Sequence, residues 1–186
     1  GAGLLVDEAH ALGVFGPGGR GLCAEQGISP DVLVGTLGKA FGLAGAFAAS
    51  SAPVVDLLRN RARSFVFSTA PSPALAATIV EAVKLVEVAE EARAQLLHHA
   101  TRLRAGLIDL GYEVLPGRSP IVPVIVGDPA PTMALSEGMF ERGVFVHGVR
   151  PPTVPEGTGR LRAVPMATHS PADIDLALQA FRELRR

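Results

Sequence analysis

The stretch Asp31-Val-Leu-Val-Gly-Thr-Leu-Gly-Lys-Ala-Phe41 determines how the rest of the chain is interpreted. The short apolar run from Val32 to Val34 predicts a buried β-strand. Small residues follow the strand and place Lys39 just beyond its carboxyl end. A single lysine in a loop is usually a surface residue. Partial burial would disfavour the charged form of the amine, and Lys39 would then be a candidate nucleophile.

A second apolar stretch ends in an acidic residue. Gly3-Leu-Leu-Val-Asp-Glu-Ala-His10 predicts a strand over residues 3–6, followed by Asp7. In an open parallel sheet, ligands bind beyond the carboxyl ends of the strands, so we expect Asp7 and Lys39 to face one crevice. An acid that keeps a pyridine nitrogen protonated and a lysine that forms a Schiff base are the protein groups that pyridoxal phosphate requires.

The sequence Asp7-Glu-Ala-His10 is also similar to a helicase motif whose acidic residues hold magnesium. That function requires a phosphate-binding loop in which Gly-Lys is followed by Ser or Thr. Here Ala40 follows Lys39, so the chain does not supply that loop.

Five motifs occur along the chain in a fixed order: Asp7-Glu-Ala-His10, Thr36-Leu-Gly-Lys39, Phe67-Ser-Thr69, Arg150-Pro-Pro-Thr-Val-Pro155 and Gly157-Thr-Gly-Arg-Leu-Arg162. Together they resemble the α-oxoamine synthases, pyridoxal-phosphate enzymes with the aspartate aminotransferase fold. The resemblance covers the whole chain and implies an α/β fold. Residues 1–85 would be the C-terminal part of the large domain of a fold type I PLP-dependent transferase. Residues 86–186 would be the small C-terminal α/β domain.

The resemblance implies three catalytic residues that also bind the cofactor. Lys39 would hold pyridoxal phosphate as a Schiff base and later remove a proton from the amino acid. Asp7 would pair with the pyridine nitrogen, and His10 would bind the phenolic oxygen of the ring.

The resemblance also assigns residues to the phosphate and to the substrates. Thr36 would bind the cofactor phosphate, as would Ser68 and Thr69 from the other subunit of a homodimer that shares its active sites. Arg162 would bind the carboxylate of the amino acid, and Thr153 would lie near the acyl substrate. From the residues alone, Ser68 and Thr69 are turn residues, and Arg160 is interpreted as a surface arginine.

The implied reaction is a decarboxylative condensation of an amino acid with an acyl thioester. The Arg150-Pro-Pro-Thr153 stretch favours the branch that joins L-alanine to a pimeloyl thioester for biotin synthesis, with coenzyme A or a carrier protein as the acyl carrier. Other branches, which make 5-aminolevulinate, 2-amino-3-ketobutyrate or sphingoid bases, stay open. A non-catalytic fragment or partner subunit is a further alternative.

Composition excludes several other classes of function. The 186 residues have a net charge of −1, which gives no electrostatic reason to expect binding to nucleic acid or to an anionic membrane. The single cysteine, Cys23, excludes an internal disulfide framework, and the histidines show no metal-ligand spacing. We therefore expect a soluble cytoplasmic protein without a metal. Because Gly1 leads almost at once into a buried strand, we also expect the chain to be the C-terminal part of a longer protein.

Hydrophobic periodicity and turn residues predict the remaining elements. The expected strands cover residues 46–49, 65–67, 112–115, 121–126, 144–147 and 161–164. The expected helices cover 22–26, 51–62, a long segment from residue 74, 96–107, 131–142 and 171–184.

Overall fold

The structure is a computed structural model that describes residues 1–185. It contains two compact units, Gly1–Arg93 and a second that begins at Ala94. The boundary predicted at residue 85 lies within helix α4 (Pro73–Glu87), whereas the units separate within the next helix, α5 (Glu90–Asp109).

The first unit is built on a three-stranded sheet in the order β1-β2-β3. Strand β1 (Leu5–Asp7) runs parallel to β2 (Val32–Thr36), and β3 (Ala46–Ser50) is antiparallel to β2. Each strand lies within one or two residues of its predicted position. The parallel β1–β2 pair brings the carboxyl ends of the first two strands to the same edge of the sheet.

Four helices complete the first unit: α1 (Leu22–Gln26), α2 (Ala52–Arg61), α3 (Arg63–Val66) and α4. The start of α4 follows from local sequence, because Ser72 accepts a hydrogen bond from Leu75 N at 3.2 Å and Pro73 occupies the first turn. Buried Arg93 donates to the backbone oxygens of Val86 and Glu87, which satisfies carbonyls at the end of α4.

The strand predicted over residues 65–67 is wrong, because Phe65 and Val66 belong to the helical turn α3 and Phe67 is its C-cap. Val66 N donates to Ala62 O at 2.9 Å and Phe67 N donates to Arg63 O at 3.1 Å, so the backbone is satisfied locally. The Arg63 guanidinium also lies 5.3 Å from the centre of the Phe67 ring. A three-residue apolar run does not distinguish a strand from a helical turn.

The second unit contains an antiparallel sheet in the order β4-β5-β7-β6. Its strands are β4 (Glu113–Val114), β5 (Val122–Gly127), β6 (His147–Val149) and β7 (Gly159–Ala163). Helices α6 (Pro129–Glu141) and α7 (Pro171–Leu184) follow β5 and β7 in the chain, and α7 has its predicted bounds.

The strand predicted over residues 144–147 is misplaced, because β6 begins at His147. Val144 N donates to Met139 O at 3.0 Å, which closes the end of α6 and keeps Val144 in a loop. The ladder then starts where His147 lies opposite Arg162 of β7.

The core of the second unit lies on one face of its sheet. Val122 and Val124 of β5 and Leu161 of β7 are fully buried and pack with Leu107 and Phe181. Because side chains alternate along a strand, the residues between them lie on the opposite face. No helix among residues 1–185 has the length and apolar character needed to cross a membrane.

Candidate active site

The carboxyl ends of β1 and β2 bring together the residues that the sequence analysis emphasised. Asp7, the last residue of β1, is in register with Val34, and Thr36 ends β2 two residues further on. The turn that carries Lys39 follows directly. Asp7, Thr36 and the Lys39 turn therefore lie at one edge of the first sheet, as expected.

The Lys39 turn is closed by backbone hydrogen bonds. Leu37 N donates to Gly45 O at 2.9 Å, Leu43 N donates to Leu37 O at 2.8 Å, and Gly42 N donates to Lys39 O at 3.0 Å. These bonds fix the backbone, whereas the Lys39 side chain is exposed. The partial burial expected for this amine is not provided within residues 1–185. Desolvation of the amine would require groups other than those of the described residues.

The Thr36 hydroxyl is bonded to the same turn. Its Oγ1 donates to Gly45 O at 3.2 Å and accepts from Gly38 N at 3.4 Å. A hydroxyl has only one proton to donate. Thr36 must therefore exchange its bond to Gly45 if its hydroxyl is to donate to a phosphate.

Asp7 keeps one carboxylate oxygen available for a ligand. Its Oδ1 accepts from Ala9 N at 2.8 Å, which fixes the orientation of the side chain. Glu8 N donates to Val34 O at 2.8 Å, so the β1–β2 pairing extends past Asp7. Asp7 and His10 are both exposed.

Glu8 is a buried residue of this region that the sequence analysis did not identify. It is 1% exposed, and its carboxylate accepts from Leu22 N at 2.9 Å and from Cys23 N at 2.6 Å. These two amides open α1, whose N-cap position is Gly21 and has no side-chain acceptor of its own. Glu8, which lies between Asp7 and His10 in the sequence, therefore links the end of β1 to the start of α1 through these hydrogen bonds.

The Glu8 carboxylate also affects its neighbours. A hydrogen bond between the Cys23 thiol and this carboxylate, together with burial and the negative charge of Glu8, raises the pKa of the thiol. Gly21 has a φ of +93°, and a Cβ atom there would lie 2.6 Å from Glu8 Oε2. The absence of a capping side chain before α1 was the only sequence signal that a distant group satisfies its first amides.

Ser68 and Thr69 lie apart from these residues in the contacts of the described chain. They are exposed between α3 and α4, and Ser68 Oγ donates to Ser64 O. No hydrogen bond or ion pair within residues 1–185 joins them to Asp7 or Lys39. Their assignment to a partner subunit's cofactor stays a prediction.

The second unit places Arg162 and Thr153 at one cavity of about 540 Å³. Arg162 lies on β7 between Pro123 of β5 and His147 of β6. Thr153 follows β6, where its N–H donates to Arg150 O at 3.1 Å. Arg160, which we interpreted as a surface arginine, is half-buried and lines the same cavity, because it lies two residues from Arg162 on one strand face.

The residues at the edge of the first sheet fit pyridoxal phosphate. Asp7 offers a carboxylate oxygen for a protonated pyridine nitrogen, Thr36 a hydroxyl for phosphate, and Lys39 an accessible amine for the aldehyde. Among residues 1–185 there is no group of three His, Cys, Asp or Glu side chains arranged to hold a metal ion.

The chain belongs to the aminotransferase class I and II family, whose model matches residues 1–181. It is 45% identical over 185 residues to 8-amino-7-oxononanoate synthase of Marinobacter nauticus. The aligned region covers 98% of this chain and 47% of that relative. The predicted resemblance to α-oxoamine synthases is thereby confirmed. The chain spans about half the length of the curated relatives that it matches.

Two solved structures confirm the predicted α/β fold. A variant of serine palmitoyltransferase from S. paucimobilis with a bound PLP–myriocin aldimine has a TM-score of 0.93 and 34% identity, covering 99% of this chain and 47% of that one. The 8-amino-7-oxononanoate synthase of Francisella tularensis has a TM-score of 0.86 and 27% identity. The match covers 96% of this chain and 53% of that one.

Proposed function

We propose that the protein carrying this chain condenses L-alanine with a pimeloyl thioester, with loss of carbon dioxide, to give 8-amino-7-oxononanoate for biotin synthesis. The observation that carries the proposal is the convergence of Asp7, Thr36 and Lys39 at one sheet edge. The choice of substrates is supported by the names of relatives that are 45% identical to this chain.

The residues of the first unit would act on the cofactor and on one proton. Pyridoxal phosphate, when bound, supplies an electron sink for negative charge at the α-carbon of the amino acid. The Asp7 carboxylate would stabilise positive charge on the pyridine nitrogen, and His10 would donate a hydrogen bond to the ring oxygen. Lys39 would hold the cofactor through its amine, and its free Nζ would accept the α-proton of the amino acid.

The residues of the second unit would orient the substrates. The planar guanidinium of Arg162 matches the amino-acid carboxylate in a two-bond arrangement. Thr153, at the same cavity, would lie against the acyl chain. Fixing both reactants reduces the entropy cost of bringing two carbon atoms together.

A cytoplasmic homodimer with shared active sites is part of the proposal. Ser68 and Thr69 would reach the cofactor of the partner subunit. The support is their position in an exposed segment beside large apolar side chains, Phe65 at 62% and Phe67 at 75% exposed. A subunit interface would cover such residues.

A second candidate is condensation of serine with a long-chain acyl thioester. Its support is the similarity to serine palmitoyltransferase, which has the higher TM-score of the two structures. The other α-oxoamine synthase reactions and a non-catalytic subunit have no such observation in their favour.

A product assay separates these candidates. The protein, as encoded by its gene, is incubated with pyridoxal phosphate, with alanine, serine or glycine, and with pimeloyl, palmitoyl, succinyl or acetyl thioesters. Mass spectrometry identifies the condensed product. We expect 8-amino-7-oxononanoate from alanine and the pimeloyl thioester. A product from serine and the palmitoyl thioester would favour the second candidate, and no product in any mixture would favour a non-catalytic subunit.

A further inference from the structure

The cavity of the second unit has more positive charge than one amino acid requires. We call it the arginine cavity, and define it by Arg150, Arg160 and Arg162, which line its volume of about 540 Å³. His147 also lines it, and none of its lining residues is acidic. A single amino-acid carboxylate bound to Arg162 would leave two guanidinium groups without an opposite charge.

The arginines of the cavity are not neutralised elsewhere in the described chain. Within residues 1–185, the recorded ion pairs of other arginines are with Asp56, Glu87, Glu90, Asp175 and Glu183, and none involves the three cavity arginines. Like charges in a concave site attract anionic ligands. The cavity therefore has room and charge for a second anionic group.

Arg160 is positioned to receive that group. Its Nε donates to Thr158 O at 2.9 Å, which anchors the guanidinium, while its terminal amino groups have no acceptor within residues 1–185. Arg160 and Arg162 are two residues apart on β7, so their Cα atoms are separated by about 7 Å along the strand. This spacing allows the two guanidinium groups to bind two separate carboxylates.

The rest of the cavity suits a methylene chain. Ile121, Pro123, Met133 and Val149 contribute apolar surface. Val149 lies directly opposite Arg160 in the β6–β7 ladder, and Pro123 lies opposite Arg162 in the β5–β7 ladder. An apolar floor flanked by cations matches a ligand with a hydrocarbon middle and a charged end.

We propose that Arg160 binds the terminal carboxylate of a dicarboxylic acyl thioester, and so selects acyl chains that end in a carboxylate over chains that end in a methyl group. The proposal rests on the proposed condensation and names the residue that sets its acyl specificity. Arg162 keeps the amino-acid carboxylate.

The test compares two coenzyme A thioesters of equal chain length, pimeloyl and heptanoyl, with the protein as encoded by its gene. We expect Arg160→Gln to lower kcat/KM for pimeloyl-CoA by about 10- to 100-fold, the range for loss of a charge-assisted hydrogen-bond pair. The value for heptanoyl-CoA should change less than about threefold. Arg160→Lys should keep more of the preference for pimeloyl-CoA than Arg160→Gln does, because lysine keeps the positive charge but cannot form the two parallel hydrogen bonds of a guanidinium.

Arg182→Gln provides the matched control, since Arg182 is exposed on α7 and does not line the cavity. It should leave both thioester values unchanged. An equal loss on pimeloyl-CoA and heptanoyl-CoA in Arg160→Gln would overturn the proposal, because both share the coenzyme A phosphates and differ only at the chain end. Undiminished use of pimeloyl-CoA by Arg160→Gln would overturn it as well.

Equilibrium binding of free pimelate and heptanoate gives a readout that does not need turnover. Pimelate should bind more tightly than heptanoate, and Arg160→Gln or Arg160→Lys should reduce that difference. If the wild-type protein uses neither thioester but shows this Arg160-dependent difference, the proposed condensation fails and the cavity assignment stands. If the wild-type protein uses pimeloyl-CoA but shows no Arg160-dependent difference in binding, the proposed condensation stands and the role of Arg160 fails.

Discussion

Replacing Glu8 by Gln should lower the free energy of unfolding, although Glu8 has no proposed role in catalysis. The carboxylate accepts two backbone hydrogen bonds, from Leu22 N at 2.9 Å and Cys23 N at 2.6 Å, and is 1% exposed. A glutamine has one acceptor oxygen, and its amide NH₂ would face a second N–H donor. One bond is lost with a buried donor left unsatisfied, and the other loses its charge assistance. Together these two losses should lower the free energy of unfolding by about 2–4 kcal/mol.

Thermal unfolding of Glu8→Gln measures this cost. At about 2 °C per kcal/mol, the lower end of the range for 150–250 residues, we expect the midpoint to fall by about 4 °C or more. Glu137→Gln is the matched control, because Glu137 is exposed on α6, and such a change should alter stability by no more than about 0.5 kcal/mol. Equal midpoints for the two variants would refute the assigned role of Glu8.

A double-mutant cycle with Gly21 sharpens the test. Gly21→Ala is expected to be destabilising because of its φ of +93° and because the new Cβ would lie 2.6 Å from Glu8 Oε2. In a Glu8→Ala background the steric conflict is absent, so the added cost of Gly21→Ala should be smaller. Additive costs would show that the two residues do not contact each other as described.

Three further predictions concern the catalytic chemistry and the second unit. Asp7→Asn should leave cofactor binding measurable in absorbance titrations but slow steady-state turnover by on the order of a thousandfold, because an amide cannot stabilise a protonated pyridine nitrogen; a rate within tenfold of wild type would contradict the role of Asp7. Arg162→Lys should raise KM for alanine more than KM for the thioester, since it keeps the charge without the two-bond geometry, and equal changes in both would reassign Arg162. Hydrogen bonds from Ser170 lower the pKa of Asp173, so this carboxylate stabilises the folded state above its unfolded pKa and loses that contribution as the pH falls through the lowered folded value. Ser170→Ala should therefore lower the unfolding midpoint at pH 7 by more than it does at a pH below that folded value, and an equal shift at both pH values would contradict the linkage.

Elements with strong local signals could be predicted from the sequence. Helix α7 has its predicted bounds because Ser170 and Asp173 form a capping box and Pro171 opens the first turn. The β1 and β2 strands were found because short apolar runs are bounded by turn residues. Their carboxyl ends meet because parallel neighbours share direction, which is why the Asp7–Lys39 edge could be predicted as well.

The features that were missed depend on contacts between distant residues. The capping of α1 by Glu8 joins residues 14 and 15 positions apart, and no local pattern encodes it. The cavity position of Arg160 depends on the strand bounds of β7, which set which side chains share a face. The apolar run at residues 65–67 was ambiguous because its neighbours, rather than its composition, decide between strand and helix.

The most direct measurement of the central claim is the site of covalent attachment of pyridoxal phosphate. The protein, as encoded by its gene, is treated with the cofactor, reduced with borohydride, digested and examined by mass spectrometry. The account predicts that the label lies on Lys39 and that Lys39→Ala abolishes both the covalent absorbance band and turnover. A label on Lys84, the only other lysine in this chain, with Lys39 unmodified, would contradict it.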